Sequence, residues 1–338
     1  MGDRPVDADV VVVGGGPGGA AAAISAAMRG LRVVLYEREP GPRDRPGETL
    51  HPGVEPLLAQ LGLGDRVAAA TGVRHRGIWI EWGGPRRFEA FGEDAGNPWQ
   101  GLQVWRAHFD ALLLERAREL GVTIRAGSAA LAPLMRDGAV TGVRGADGEV
   151  PARIVVDATG AARWLGRMLG VGSPPHSPRF VAKYGYVEGD CPGRDDAPLL
   201  VGDAIGWTWS ARVKPNLYQW TRVRFGESGA GALPPAELAG LAPVGPVRGA
   251  DVTWRLAERT AGPGWFMVGD AAAALDPTSS HGVLKALMTG IMAGHLGAAS
   301  LRGHAPPSEV VSAYHDWIAG WFATDAAQLR AFYRKLAV

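Results

Sequence analysis

A glycine-rich run near the N-terminus has the residue types and spacing of a phosphate-binding turn. Gly14, Gly16 and Gly19 form a G-x-G-x-x-G pattern, with Pro17 inside it, between an apolar segment and an alanine-rich one. Gly14 permits a tight turn, Gly16 lets the backbone approach a pyrophosphate, and Gly19 lets a helix pack on a strand. Glu37 follows at the end of the next apolar segment, where a carboxylate can take ribose hydroxyls. The pattern predicts dinucleotide binding.

Two later turns carry the same kind of chemistry. Asp157 and Gly160 follow one short apolar strand, and Gly269 and Asp270 follow another. At such positions a carboxylate can accept a hydrogen bond from a ribityl hydroxyl while glycine amides approach phosphates. Simple NAD-dependent dehydrogenases need neither turn, so the three segments together favour FAD.

The elements around these turns predict an α/β fold. Residues 8–13 form a strand that is apolar apart from Asp9, residues 18–29 form a helix and residues 31–36 a second strand, which make a βαβ unit. Long strands predicted over residues 206–212 and 217–223 interrupt this nucleotide-binding pattern. The fold class is a Rossmann-like FAD-binding domain with an inserted antiparallel β-sheet domain for the substrate and C-terminal helices.

The domain boundaries follow from the interruption. Residues 226–250, rich in Pro, Gly and Ala, are interpreted as a linker, and 251–259 as a further strand. The predicted division is a discontinuous FAD-binding domain (1–75, 100–170 and 260–305), a substrate domain (76–99 and 171–259) and a helical segment (306–338).

Composition excludes several function classes. Among 338 residues, 35 Lys and Arg balance 34 Asp and Glu, so no strong field draws in nucleic acid. The single cysteine, Cys191, excludes an intramolecular disulfide and a cysteine-based metal cluster, and no metal is expected. Glycines break the long uncharged run 10–28, and acidic residues precede it, which argues against a membrane span and a signal peptide. We expect a cytoplasmic protein.

The order and spacing of the three segments resemble the FAD-binding signature of the p-hydroxybenzoate-hydroxylase class, and Arg106 matches its FAD-contacting arginine. Residues 45–52 look like the G-E-[ST] loop of flavin-dependent halogenases and geranylgeranyl-reductase-like proteins, and residues 276–283 look like their D-P-x-x-S-x-G-[VI] segment. Within that group the chain is most similar to flavoproteins that mature quinone-cofactor enzymes. The resemblance adds these residues to the predicted FAD site: Arg38, Arg45, Thr49, Pro277, Ser280, Gly282 and Val283.

Three departures separate the chain from the halogenases it resembles. Those enzymes need a relay lysine on the strand after the G-E-[ST] helix, and residues 73–80 contain none. Ser279 stands where tryptophan halogenases have an acidic residue, and Trp207 and Trp209 are followed by Ser-Ala instead of Ile-Pro. The resemblance therefore implies a monooxygenase in which reduced FAD and oxygen give a C4a-hydroperoxide that hydroxylates an aromatic small molecule or peptide side chain.

Candidate catalytic residues are His281, His51 and Glu48. His281 either handles protons near the flavin edge or caps a helix, His51 either faces the same cavity or makes a loop contact, and Glu48 either bonds flavin or substrate or caps the helix near residue 54. Trp79, Trp207, Trp209 and Trp220 either line an aromatic substrate pocket or form sheet core.

The electron source and the reaction class stay open. NAD(P)H or a separate flavin reductase could supply electrons. Alternatives to hydroxylation are a halogenase using external reduced flavin, an FAD-dependent reductase or dehydrogenase, and a non-catalytic flavin-bound partner. The chain is short for its class, and we expect an open pocket that suits a large substrate or a partner.

Overall fold

The computed structural model of the chain describes residues 8–41, 45–225 and 234–336. Six helices lie in these ranges: α1 (Pro17–Ala27), α2 (Val54–Gln60), α3 (Arg106–Glu119), α4 (Trp164–Met168), α5 (Gly282–Leu301) and α6 (Pro307–Leu336). The strands before α4 are β1 (Ala8–Val13), β2 (Val33–Glu37), β3 (Thr49–Leu50), β4 (Thr71–His75), β5 (Gly77–Glu81), β6 (Arg87–Ala90), β7 (Glu93–Asp94), β8 (Asn97–Pro98), β9 (Gly101–Val104), β10 (Thr123–Ala126), β11 (Ala130–Arg136), β12 (Ala139–Gly145) and β13 (Gly148–Asp157). Those after α4 are β14 (Val181–Glu188), β15 (Leu199–Asp203), β16 (Gly206–Lys214), β17 (Leu217–Arg224), β18 (Ala242–Asp251), β19 (Arg255–Leu256), β20 (Ala261–Gly262), β21 (Trp265–Met267) and β22 (Ala273–Ala274).

The first sheet carries the predicted nucleotide-binding turns. Its parallel core runs β10, β2, β1, β13 and β21, and β12 and β11 extend it from the first half of β13. The carboxyl ends of β1, β13 and β21 therefore meet at one edge, where ligands of open α/β sheets bind. Helices α1 and α5 pack together beside this sheet, and the Ser25 hydroxyl donates to the Ile291 carbonyl over 2.9 Å. This mixed α/β architecture confirms the predicted fold class.

The second sheet has the order β18-β14-β17-β16-β15-β5-β6 and is antiparallel except between β15 and β5. The pairing brings β5 and β6, from early in the chain, into one sheet with strands that follow residue 180. Strand β18 corrects the linker interpretation of 226–250, because residues 242–251 form a ten-residue edge strand. The glycines and prolines of β18 are atypical of a strand, so the sequence did not predict it. Residues 226–233 lie outside the described chain. Within the predicted segment 251–259, only Asp251, the last residue of β18, and Arg255–Leu256 are strand.

Helix α5 is long and apolar enough to cross a membrane, with a mean hydropathy of 1.2, but half of that window is buried inside the protein. It is the single such helix in the described ranges, and its burial is what a core helix shows. The cytoplasmic location stays a prediction.

Candidate active site

The glycine turn after β1 is held by close backbone contacts. Gly14 has φ +108°, and a Cβ there would lie 2.4 Å from the Ala158 carbonyl oxygen. A Cβ on Gly19 would lie 1.9 Å from the Gly14 oxygen. Only glycine fits at these two positions, so the turn lies directly against the turn that follows β13.

The next residues leave room for a cofactor. A Cβ built on Gly16, Gly160 or Gly282 would meet no atom within 4 Å, although the three lie after β1, after β13 and at the start of α5. Asp270 is exposed, yet burial among protein atoms raises the pKa of its carboxyl group. A group that water reaches while protein surrounds it lies on the wall of a cleft. Backbone open on three sides with a carboxylate on the wall fits FAD.

Glu37 lies against the glycine turn as predicted from its position. Its Oε2 accepts the Gly15 N–H at 2.7 Å and its Oε1 accepts the Glu39 N–H at 3.0 Å. A carboxylate has further lone pairs for ribose hydroxyls. Arg38 beside it is exposed and lies 3.4 Å from the Glu39 carboxylate, and Arg45 is half-buried on the loop that leads to β3.

Asp157 does not face the cleft. It is fully buried, its Oδ1 accepts from the Thr159 amide and hydroxyl, and its Oδ2 accepts the Leu165 N–H at 2.8 Å. The carboxylate is engaged in holding the turn from β13 into α4. Its contribution to cofactor binding is therefore to shape the Gly160 turn, rather than the direct ribityl contact that the sequence suggested.

Arg106 supports the G-E-T loop from the first turn of α3. Its Nε and Nη2 each donate to Asp110 at 3.1 Å, and Nη1 donates to the Pro46 carbonyl at 2.7 Å. Burial opposes the charge of this guanidinium, but Asp110 and Glu48 outweigh it, and the pKa of Arg106 is raised. Donors remain on the guanidinium for a ligand.

Glu48 is buried between this arginine and the second sheet. It is 3% exposed and accepts a short hydrogen bond from the Tyr186 hydroxyl. Burial raises the pKa of Glu48 to about 7, although Tyr186 and Arg106 lower it. Thr49, the next residue, donates from its hydroxyl to Gln103 at 3.0 Å. Sequence reasoning did not identify Tyr186, which lies 138 residues away and carries no local motif.

An aromatic and cationic group flanks Glu48. The Trp105 and Tyr186 rings meet edge to face at 5.6 Å, and Lys214 Nζ lies 3.9 Å from the centroid of the Trp105 ring. The Trp105 and Lys214 side chains are both half-buried. The Lys214–Trp105 cation–π pair therefore adjoins Arg106, which follows Trp105 in the chain.

His51 and His281 come together, as their predicted shared cavity requires. Their rings lie 5.0 Å apart at 80°, and the Phe91 ring lies 6.1 Å from that of His51. The His51 Nδ1 accepts the Gly53 N–H at 3.0 Å, which assigns its proton to Nε2. Burial, and then the neighbouring His281 and Lys285, lower the pKa of His51 to about 4. His281 precedes α5, but its side chain makes no capping hydrogen bond.

The C-terminal helix supplies residues that the sequence did not predict for this site. Asp325 of α6 lies 3.1 Å from Lys285 Nζ and 3.9 Å from His281 Nδ1. Lys285 also lies 4.3 Å above the Trp321 ring. Burial lowers the pKa of His281, and Asp325 partly offsets this.

The D-P segment is fixed from both sides. Asp276 accepts from the Thr278 amide and from Trp254 Nε1 at 2.6 Å, and the Tyr333 hydroxyl of α6 lies 2.7 Å from the Thr278 hydroxyl. The segment continues through Ser280, at φ +51°, into the first turn of α5. Pro277, Ser280, Gly282 and Val283 thereby lie around the helix N-terminus, where free amides favour negative charge.

The four tryptophans do not form one substrate wall. Trp207 is fully buried and donates to Tyr333, and Trp209 is 8% exposed on the same side of β16. Trp220 is 1% exposed but pairs with Ser210, so it lies on the opposite side, packed with Leu238. Trp79 donates to Asp195. The three strand tryptophans of β16 and β17 are sheet core, and His51, Phe91 and His281 are the half-buried rings beside α5.

Two family descriptions match the chain. One, an FAD binding domain, covers residues 7–187, and the other, tryptophan halogenase, covers residues 99–293. Each spans more than half of the 338 residues.

Individual relatives fall on both sides of the halogenase–reductase division. The menaquinone reductase of Mycobacterium tuberculosis is 31% identical over 86% of this chain and 76% of the relative, and the tryptophan 2-halogenase of Chondromyces crocatus is 28% identical over 97% and 68%. The structure of the myxobacterial chondrochloren halogenase, described as a variant of FAD-dependent halogenases, covers 97% of this chain and 83% of its own with a TM-score of 0.89 and 27% identity.

Proposed function

We propose, on the premise that the chain belongs to the FAD-binding family that includes the tryptophan halogenases, that it hydroxylates an electron-rich aromatic ring. The membership makes the protein an FAD-dependent oxidoreductase. The ring belongs to a small molecule or to a peptide side chain of the tryptophan or tyrosine type. When bound, FAD supplies the two-electron chemistry and the activation of oxygen.

The choice of hydroxylation depends on which polar side chain is buried in residues 73–80. In the halogenases that the chain resembles, this stretch provides the relay lysine. Here His75 is the buried polar residue, 4% exposed, with its Nδ1 2.9 Å from the Gly77 carbonyl. Burial lowers the pKa of His75, which favours the neutral ring. A neutral imidazole can hold a proton or a hydrogen bond but does not replace an aliphatic amine.

The remaining residues suit proton movement around an oxygenated ring. His281, whose ring lies 5.0 Å from that of His51, can accept the proton that a ring carbon loses when aromaticity returns, and His51, which is neutral at pH 7 with its proton on Nε2, can donate a hydrogen bond beside it. Glu48, with its pKa near 7, can give or take a proton at its carboxyl oxygen. Phe91 and the His rings offer apolar faces that exclude water from this side.

Halogenation is the second candidate, because the tryptophan-halogenase match covers residues 99–293 and the Chondromyces crocatus relative aligns over 97% of the chain. The test supplies FAD-loaded protein with a flavin reductase, oxygen and either tryptophan or a tryptophan-containing peptide, with and without bromide. We expect a product heavier by one oxygen atom in both conditions. A brominated product that appears only with bromide would replace hydroxylation by halogenation.

A third arm addresses the reductases among the relatives. The same mixture without oxygen should leave the aromatic substrate unchanged. Reduction of a quinone or polyprenyl substrate by the reduced protein without oxygen would contradict oxygenation. It would favour a reductase activity like that of the menaquinone reductase. Whether NAD(P)H reduces the flavin directly is read from the same assay with the reductase omitted.

A further inference from the structure

A cavity of about 220 Å³ lies beside the cofactor cleft. Its lining includes Arg163, Arg167, Ser173, Met267 and Ala271. Ala271 directly follows Asp270, and Arg163 ends the turn that begins at Gly160, so the cavity and the cleft share these two walls. The volume is below the range of about 300–1,000 Å³ that holds a whole drug-sized ligand, and it therefore suits one group of a larger molecule.

The two arginines that line this cavity make no close ion pair with a described residue. Within the described ranges, neither Arg163 nor Arg167 has a carboxylate at ion-pairing distance. Burial lowers the pKa of Arg163, and repulsion from Arg255 and Arg167 adds to the effect, while Asp157 and Asp251 partly offset it. Arg255 donates to the Ser173 carbonyl at 3.0 Å, and it lies 4.0 Å from Asp251. The nearby Asp157 is occupied by the backbone.

The backbone at Arg163 is strained. Arg163 has φ +45° and ψ +51°, a left-handed conformation that costs a non-glycine residue roughly 1–2 kcal/mol. The surroundings enforce it, because the Trp164 amide donates to Thr159 and the Leu165 amide to Asp157. Strained positions of this kind concentrate at ligand clamps.

A buried hydroxyl completes the lining. The Ser173 Oγ is buried and has no hydrogen-bond partner among the described residues. A buried polar atom without a partner costs free energy unless a ligand or water satisfies it. Two guanidinium groups and one hydroxyl of this lining can donate hydrogen bonds to phosphate oxygens, and the Glu258 carboxylate lies against Gly172 of the same lining.

We infer that the cavity formed by Arg163, Arg167 and Ser173 binds a phosphate group of a second ligand, distinct from FAD. Phosphate on a pyridine dinucleotide and phosphate on another metabolite share this chemistry. The inference needs only the bound FAD and is independent of whether the flavin edge hydroxylates, halogenates or reduces.

The experiment measures inorganic pyrophosphate binding to FAD-loaded protein by isothermal titration calorimetry. The variants are Arg163→Asn, which removes the charge while asparagine tolerates the left-handed conformation, Arg167→Gln, and the pair. Arg118→Gln is the matched control, since Arg118 is an exposed arginine of α3 with the same charge. We expect each cavity variant to weaken binding about tenfold, the pair to weaken it further, and the control to match the unaltered protein, with FAD content unchanged in all.

A competition arm identifies the source of the phosphate. Displacement of pyrophosphate by NADPH, with the same sensitivity to the two substitutions, assigns the site to a dinucleotide. Binding that NADPH does not displace assigns it to another phosphorylated molecule. The inference is overturned if FAD-loaded protein does not bind pyrophosphate, if the paired variant binds it as well as the control, or if only FAD-free protein binds, which would make the cavity part of the FAD cleft.

Discussion

Two clusters, one half-buried and one buried, flank the predicted flavin edge, and burial shifts the pKa values of their groups in opposite directions. On the α5 side it lowers the pKa of His51 to about 4, and on the α3 side it raises the pKa of Glu48 to about 7. In both clusters the neutral form gains, because removing water penalises charge of either sign. The consequence differs: the histidine is neutral at pH 7 and can donate a hydrogen bond from Nε2, whereas the carboxyl group is partly protonated at pH 7 and can give a proton.

The clusters also differ in how their charges are balanced. Arg106 and Asp110 form a buried bidentate pair beside Glu48, while Lys285 and Asp325 join two helices beside His281. The first pair lies within one helix and supports a loop. The second pair connects α6 to the site. Removing one of its partners should therefore change the stability of the fold less and the pKa values of the histidines more.

Removing the buried guanidinium should have the largest effect. Arg106→Met leaves Asp110 buried without its partner, and we expect a loss of about 3–5 kcal/mol in the free energy of unfolding together with reduced FAD content. Urea unfolding and the flavin absorbance of the purified protein measure these. Arg118→Met on the exposed side of α3 is the control, with a change within about 0.5 kcal/mol. Equal stability of the two variants would show that Arg106 does not support the loop.

Glu48→Gln should remove a pH dependence. In the folded protein the pKa of Glu48 lies above its ordinary value of 4.5, so its contribution to stability is full below pH 4.5 and is lost as the pH rises through about 7. The loss amounts to about 3 kcal/mol. We expect the variant to gain stability relative to the unaltered protein between pH 5 and 8, by roughly this amount. A constant difference across that range would contradict the raised pKa.

His51→Gln should change the pH dependence with the opposite sign. The pKa of His51 is depressed from 6.5 to about 4, so stability is full above pH 6.5 and is lost as the pH falls toward 4. The slopes of His51 and Glu48 therefore oppose each other between about pH 4.5 and 6.5. Over that window, the free energy of unfolding of the His51 variant should show the pH slope of Glu48, and that of the Glu48 variant the slope of His51. The double variant should show neither slope. Parallel curves would refute the comparison.

Asp325→Asn should have the smallest effect on folding. It removes one partner of a half-buried ion pair, and we expect a loss of about 1 kcal/mol, with a further fall in the pKa of His281 because Asp325 raises it. Histidine NMR titration measures the pKa. Glu309→Gln, near the start of the same helix, is the control and should leave the His281 titration in place.

The local parts of the site could be predicted from the sequence. The G-x-G-x-x-G turn, Glu37 and the start of α5 each depend on contacts within one βαβ unit or one loop, where residue type and spacing dictate the backbone. The sequence left open whether His51 shares a cavity with His281 or makes a loop contact, and the structure shows a ring contact with His281 and a hydrogen bond from the Gly53 amide. The sequence suggested a direct ribityl contact for Asp157 and missed its structural role, because only the positions of Thr159 and Leu165 reveal that the carboxylate holds its own turn.

The tryptophans show why the other parts of the fold and site could not be predicted from the sequence. Two residues apart on β16, Trp207 and Trp209 share a side by strand geometry alone. The side of Trp220 depends on the register that pairs it with Ser210, and the depth of all three depends on what covers each sheet face. Residues 242–251 likewise become strand because β14 offers an edge to pair with, not because their Pro- and Gly-containing sequence favours it.

By itself, the sequence of this protein determined the dinucleotide-binding turn, since that turn is encoded by residues close together in the chain. The FAD cleft and the two loops at the flavin edge were predicted through the resemblance of separate segments to a known signature. The tertiary structure alone decided that Tyr186 donates to Glu48, that Asp325 lies beside Lys285 and that Arg163 and Arg167 share a cavity with Ser173. These contacts depend on sheet register and helix packing. Such long-range contacts produce no local sequence pattern, because each residue involved is of a common type for its own segment.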